Sequence, residues 1–153
     1  MIAKDYNKIK TVNEIDEYGT SEGILDNCTG IIVLDNDRVL LGLRTDGQGW
    51  SIAGGKMDGA ETTYECAIRE LEEEFGLTGL NLDYLGQVES RAFVKGVDRI
   101  VMPHIFLCKQ FKGEIKIAID EMVEYKWVKF EELEEIHHWF PPSKKALEMF
   151  LAN

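Results

Sequence analysis

The chain has 153 residues, 44% of them hydrophobic, which suits one globular domain with a core of its own and leaves little room for two. Seventeen Lys and Arg against twenty-eight Asp and Glu give a formal charge of -11, opposite in sign to the basic footprint of a protein that grips nucleic-acid backbone directly. The opening MIAKDYNKIK has no apolar leader, and no run approaches the roughly 18 apolar residues of a membrane span, so the expectation is a soluble cytoplasmic protein with no membrane partner.

Residues 1–23 read as an N-terminal extension or an edge strand. Residues 24–34 (ILDNCTGIIVL) and 38–44 (RVLLGLR) are β-rich runs joined by Asp35-Asn36-Asp37, the pattern of a hairpin. Trp50-Ser51-Ile52 is a short strand candidate, and Gly54-Gly55-Lys56-Met57-Asp58-Gly59 reads as a flexible loop whose backbone can approach a ligand. A helix is expected from about Thr63 to Phe75, then strands at Leu80–Val88, Arg91–Val94 and Ile100–Phe111, with KGVDR as a turn. Glu124–Val128 is a further strand. Helical patterns return at Phe130–Ile136 and Ser143–Leu151, the second just after Pro141-Pro142, where proline suits a helix entrance. Strands interleaved with two or three helices give an α/β or α+β sandwich. Cys28, Cys66 and Cys108 are odd in number and widely spaced, as buried thiols are, rather than a disulfide framework or a zinc cluster.

The helix carries the chemistry. Thr62 followed by Glu65 is a capping-box pattern, and Gly76 after Phe75 is a glycine-terminated end. Tyr64, Ile68, Leu71 and Phe75 recur at helical spacing and form a stripe that can pack on a sheet. Glu70, Glu73 and Glu74, at i, i+3 and i+4, span an arc of roughly 100° and are expected on the other side. Like charges at these spacings repel, so a positive partner is needed. Arg69 can neutralise one carboxylate; a hard divalent cation can neutralise two or three. The alternative is a solvated charged face.

The order of residues weighs against that alternative. Gly55, five residues, Glu61, seven residues, then Arg69-Glu70-Leu71-Glu72-Glu73-Glu74-Phe75-Gly76-Leu77 resembles the Nudix hydrolase signature G-x5-E-x7-R-E-U-x-E-E-x-G-U at every fixed position, U being apolar. A chance match in a chain this long is on the order of 10⁻⁷. Looser likeness extends to the strand ending in Arg44, to Trp50 and Gly54, and to Glu121 with Trp127; Ala53 departs from the proline that many members carry before the paired glycines.

The resemblance implies a Nudix-type mixed β-sheet sandwiched between helices, with a loop-helix-loop catalytic motif. It implies Mg²⁺- or Mn²⁺-dependent hydrolysis of a diphosphate linkage, in which a catalyst must neutralise phosphate oxygens and activate a water. Carried over residue by residue, Glu73 and Glu74 would ligate metal, Glu70 would ligate metal or act as base, and the Gly55 carbonyl would complete the shell. Arg69 would hold a carboxylate in place and Glu61 would support the helix or an outer-shell water. Glu121 stands where many relatives place an extra acid, with a solvated turn as its alternative. Arg44 resembles a phosphate-touching position, and Arg91, Lys95 and Arg99 are further candidates. Phe93, Trp127, Trp139 or Phe140 could stack on a nucleobase, with core packing as the alternative. His137-His138 and His104 suggest neither zinc nor a triad.

The first substrate expected is a nucleoside triphosphate, ordinary or oxidised, giving a monophosphate and pyrophosphate. ADP-ribose or other nucleotide-sugar and dinucleotide substrates, 5′-triphosphate RNA ends, and a module that senses nucleotide without cleaving it are the alternatives. Neither the proline that tends to mark ADP-ribose enzymes nor the tyrosine that tends to mark dinucleoside polyphosphate enzymes stands at its expected distance beyond the motif. A homodimer is a possible partner arrangement, through residues 1–23 or the C-terminal helix Ala146–Leu151, each of which could equally cap the core.

Overall fold

The computed structural model describes residues 23–152; the segment 1–22, expected as an extension, edge strand or dimer face, lies outside the described residues. No described helix is long and apolar enough to cross a membrane.

The first apolar run divides in two. Strand β1 (Ile24–Leu25) ends where Asp26-Asn27 interrupts the pattern, and β2 (Cys28–Asp35) continues. Asn36, in a left-handed conformation at φ 59, turns β2 into β3 (Arg38–Arg44). Strand β2 is the centre of the main sheet and is covered on both faces, which is why its middle is the unbroken run Ile31-Ile32-Val33-Leu34. Ile31 and Val33 point to one layer, Ile32 and Leu34 to the other.

The partners of β2 create the framework of the site. Its C-terminal end pairs with β3 (Leu34↔Val39). Its N-terminal half pairs with β5 (Ala53–Lys56), a strand where the sequence pattern predicts a loop, in the register Thr29↔Gly55 and Gly30↔Gly54. Two glycines form a strand here because β2 supplies the backbone partners, while the Thr29 carbonyl leaves no room for a side chain at 54 and Glu70 none at 55. Strand β3 runs on to pair with the short β4 (Trp50–Ser51) on one edge and with β12 (Met122–Lys129) on the other.

Helix α1 (Thr63–Phe75) follows the glycine strand. The expected capping box is present, with Thr62 Oγ1 accepting from Glu65 N at 3.1 Å and Glu65 Oε1 accepting from Thr62 N at 2.9 Å; Gly76 closes the helix at φ 73. Leu71 and Phe75 are wholly buried, as the stripe requires, but Tyr64 is exposed, and Glu70 and Glu74 lie on the buried face with Ala67. Helical geometry explains the correction: at 100° per residue Glu74 projects only about 20° from Ala67, so two of the three glutamates border the apolar stripe rather than oppose it. Glu73 alone is turned outward.

Beyond the helix, β6 (Thr78–Leu80) and β7 (Asp83–Gln87) replace one expected strand, split at Asn81 with φ 54. Strands β8 (Ser90–Val94) and β9 (Val97–Val101) form a hairpin whose turn is only Lys95-Gly96, both left-handed, so the expected five-residue turn is largely strand. The long run Ile100–Phe111 is three strands: β9, then β10 (His104–Cys108) after Met102-Pro103, then β11 (Gln110–Lys112). Proline cannot donate to a ladder, which sets the first break. Residues Phe130–Glu135 form a 3-10 helix rather than an α-helix, and α2 (Pro141–Leu151) starts on the two prolines themselves.

The main sheet has the order β12-β3-β2-β10-β7, with β2 and β10 parallel and the other pairs antiparallel. Helix α1 covers the Ile31/Val33 face with Ala67, Leu71 and Phe75, and α2 covers the Ile32/Leu34 face with Ala146 and Leu147. This is the mixed α+β sandwich expected. A second sheet, β1-β9-β8, stands beside it. The inner face of α2 is therefore spent on the core, and of the expected dimer face there only Leu151 is a large exposed apolar group.

Removing the Thr62 hydroxyl orphans the first turn of α1. Thr62→Ala is expected to lower stability by about 1 kcal/mol, read as a lower urea midpoint at unchanged slope.

Candidate active site

Where β3 and β5 part company along β2, a cleft of about 480 Å³ opens between the main sheet and the β1-β9-β8 sheet. Its lining holds the acids Glu70, Glu74 and Glu121 with the backbone of Gly54 and Gly55, and also Phe93, Phe140, Pro103 and Val101. Arg44 lies in the lining too.

The acidic lining is built by close approach. Any side chain at Gly55 would run into the Glu70 carboxylate, so glycine there lets α1 press against β5, while one at Gly54 would run into the Thr29 carbonyl of β2. Glu70 is 8% exposed and Glu74 4%. The Gly54 amide donates to Glu74 Oε1 at 2.9 Å. Burial pushes the Glu70 carboxyl up to about 7; Arg69 pulls it down, and the charges of Glu73 and Glu121 add to the rise. Burial also lifts Glu74 well above the usual carboxylate range, against the Gly54 amide and with the charges of Glu70 and Glu121 reinforcing it.

Arg69 is the local cation. Its Nε and Nη2 clasp both oxygens of Glu61 at 2.6 and 3.0 Å, Nη1 reaches Glu73 at 3.0 Å and Glu70 at 3.3 Å, and Nη2 also donates to the Lys56 carbonyl at 3.0 Å. The hydrogen bonds from Arg69 and from the Asp58 amide hold Glu61 at about 2. One guanidinium thus ties the loop before α1 to the helix while serving several carboxylates, and the cleft retains an excess of negative charge.

The expected site residues separate accordingly. Glu70, Glu74, Glu121, Gly55, Arg44 and Phe93 share the cleft lining; Glu73 stands beside Arg69, its side chain 55% exposed. Arg91 is exposed on β8 and paired with Asp98 at 3.1 Å, outside the lining. Arg99 is wholly buried, whereas Lys95 lines the cleft. Among the aromatic candidates, Phe93 and Phe140 face the cleft, Trp127 stacks on Phe111 at 5.9 Å, and Trp139 packs into the core. Sequence reasoning does not single out Asp46 and Gln48. They sit in the glycine-rich turn after β3, where Asp46 Oδ1 accepts from the Gln48 amide at 3.0 Å; an Asp two residues before a polar residue among glycines is the signal that could have found them.

These donors suit a hard divalent cation. The acidic lining offers carboxylate and carbonyl oxygens, and burial raises the neighbouring Cys28 and Cys66 thiols to about 12 and about 11, leaving them protonated and poor ligands for softer metals. Among the described residues no three acidic, histidine or cysteine side chains make a ready-made cage. Arg69 and the Gly54 amide engage the carboxylates instead, so the fit rests on the mutual repulsion of Glu70, Glu74 and Glu121 and on the space that glycine leaves at Gly55.

The NUDIX domain family profile matches residues 25–150. The oxidized purine nucleoside triphosphate hydrolase of Danio rerio is 37% identical over 89 residues, 56% of this chain and 56% of that protein, so the match spans little more than half the length of that relative. The RNA pyrophosphohydrolase of Sphingopyxis alaskensis is 29% identical over 139 residues, 78% of this chain and 85% of that one. Among solved structures, a MutT NUDIX hydrolase from Burkholderia pseudomallei superposes with a TM-score of 0.67 at 24% identity, covering 80% of this chain and 95% of that one; at this identity the likeness is one of fold.

Because Glu70 holds its proton more tightly folded than unfolded, it stabilises the cation-free protein fully below the ordinary value near 4.5, and that contribution is lost as pH rises to about 7. Glu74 acts in the same direction. Thermal melts of chelator-treated protein are expected to fall over this range, Glu70→Gln to flatten the fall, and added Mg²⁺ to raise the melting temperature more at pH 8 than at pH 5, where protons compete.

Proposed function

This chain belongs to the NUDIX family, hydrolases of phosphorus-containing anhydrides, and on that premise we propose that it cleaves a nucleoside triphosphate, ordinary or oxidised, to the monophosphate and pyrophosphate with Mg²⁺ or Mn²⁺. The observation that carries the substrate class is the mixed lining of the cleft. Carboxylates, Arg44 and the aromatic rings of Phe93 and Phe140 line one cavity, which suits a ligand that joins a polyphosphate to a flat apolar group.

Glu70, Glu73, Glu74 and the Gly55 carbonyl would hold the cation, which when bound neutralises phosphate oxygens and favours ionisation of a water. The protein supplies the rest. Glu70 would either ligate the cation or act as base toward the water, and burial raises its carboxyl to about 7 in the cation-free protein. Glu121, exposed in the same lining, adds a further acid. Arg44, held by Asp46 at 2.6 Å and lying 4.0 Å from the Phe140 ring centre, offers fixed positive charge toward the phosphates. Phe93 would present an aromatic face to a base, and Phe140 backs the Arg44 guanidinium.

A second reading has its own support in the S. alaskensis relative, which acts on RNA and matches most of this chain. The net charge of -11 favours a small nucleotide over a nucleic-acid chain.

A panel of dGTP, 8-oxo-dGTP, ADP-ribose, a diadenosine polyphosphate and 5′-triphosphate RNA decides between them. Monophosphate and pyrophosphate are expected from the triphosphates, with activity lost to chelator and restored by Mg²⁺; exclusive cleavage of ADP-ribose or of RNA ends overturns the first choice. Glu73→Gln is expected to cut turnover at least about a hundredfold, at the upper end for groups that merely orient a metal ligand, while leaving the melting temperature nearly unchanged.

A further inference from the structure

Two walls of the cleft come from different sheets, and one side chain joins them. Among the described residues strand β8 is an edge of the β1-β9-β8 sheet, and Phe93 on it is 58% exposed. Gln48, forty-five positions earlier in the turn between β3 and β4, docks its carboxamide on that edge. Oε1 accepts from the Phe93 amide at 2.9 Å and Nε2 donates to the Phe93 carbonyl at 3.0 Å, as a neighbouring strand would do. The same Nε2 donates to Asp46 Oδ2 at 2.9 Å, and the Gln48 amide donates to Asp46 Oδ1 at 3.0 Å. Asp46 in turn takes Arg44 Nε at 3.0 Å and Nη2 at 2.6 Å. An unbroken relay runs from Arg44 through Asp46 and Gln48 to Phe93, with Phe140 under the Arg44 guanidinium.

We propose that Gln48 is a positioning residue that sets the separation between the phosphate-contacting Arg44 and the base-stacking Phe93, and so selects ligands carrying a base and a polyphosphate at that spacing. This rests on the nucleotide reading of the cleft. Chemistry singles out the amide: Nε2 meets two acceptors, the Asp46 carboxylate and the Phe93 carbonyl, while Oε1 meets a donor. Glutamate at this position would set a negative oxygen against both acceptors and open the relay; protonated, it regains one donor. Alanine removes both bonds to Phe93 and leaves Asp46 on Arg44.

The test uses Gln48→Ala and Gln48→Glu in the full chain, with dGTP as substrate and inorganic triphosphate as competitive inhibitor. For Gln48→Ala, KM for dGTP is expected to rise about tenfold with kcat within about twofold, the signature of lost uniform binding, and the inhibition constant of inorganic triphosphate, which lacks a base, to stay within about twofold. For Gln48→Glu, the ratio of its KM to that of the wild type is expected to shrink as pH falls from 8 to 5. Amide exchange at Phe93, measured without substrate, is expected to accelerate in Gln48→Ala. An unchanged KM, an equal weakening of dGTP and inorganic triphosphate, or a kcat loss alone overturns the positioning role. Unchanged exchange at Phe93 overturns the relay itself, including where the wild type proves inactive on nucleotides, an outcome that separately removes the reading of the cleft.

Discussion

Two carboxylates buried against a strand of glycines are the constraint on which the rest of the structure depends. An ionised carboxylate taken out of water must find compensation or take up a proton. Glu74 finds the Gly54 amide and Glu70 finds Arg69, yet both stay raised above their ordinary values, so compensation is partial. The glycines are part of the same arrangement. Glycine at 55 leaves room for the Glu70 carboxylate of α1, glycine at 54 clears the Thr29 carbonyl, and β2, whose edge is divided between β3 and β5, supplies the backbone partners of that strand.

That geometry links proton affinity and cation affinity. Glu70, Glu74 and Glu121 repel one another across the cleft, and Arg69 is already engaged by Glu61 and Glu73. Positive charge entering the cleft relieves the repulsion and proton uptake does the same, so the two compete for one set of oxygens. A carboxyl tuned toward neutrality by burial is suited to exchanging a proton with water at the pH where a cell works. Glu61 behaves in the opposite way. Held ionised at about 2, it anchors Arg69 and thereby fixes the loop that leads into the helix.

The cleft also depends on a junction between two sheets. The main sheet carries Arg44 and the small sheet carries Phe93, and the Gln48 carboxamide stitches the edge of one to the turn of the other. Relatives named for oxidized purine nucleoside triphosphates and for RNA both match this chain. The acids and these walls come from different elements, so the walls can vary while the acids stay in place.

The sequence by itself determined the acidic helix, its capping box, its glycine stop and the identity of its acids, because those are set by spacing along one chain: a cap needs a partner three residues away, and a helical face repeats every 3.6 residues. It also determined that strands and helices alternate into an α+β sandwich. Tertiary structure alone decided which way that helix faces. Glu70 and Glu74 border the apolar stripe closely enough for either burial or exposure, and the choice fell to the glycine strand, itself invisible to propensity because two glycines form a strand only when a partner strand supplies the hydrogen bonds. The separation of Arg91 and Arg99 from the cleft, the placement of Phe93 and Phe140 in it, and the meeting of Gln48 with Phe93 were likewise beyond the sequence. Each depends on contacts between residues far apart in the chain, and no local pattern encodes which of several chemically similar side chains the packed sheets will bring to the same place.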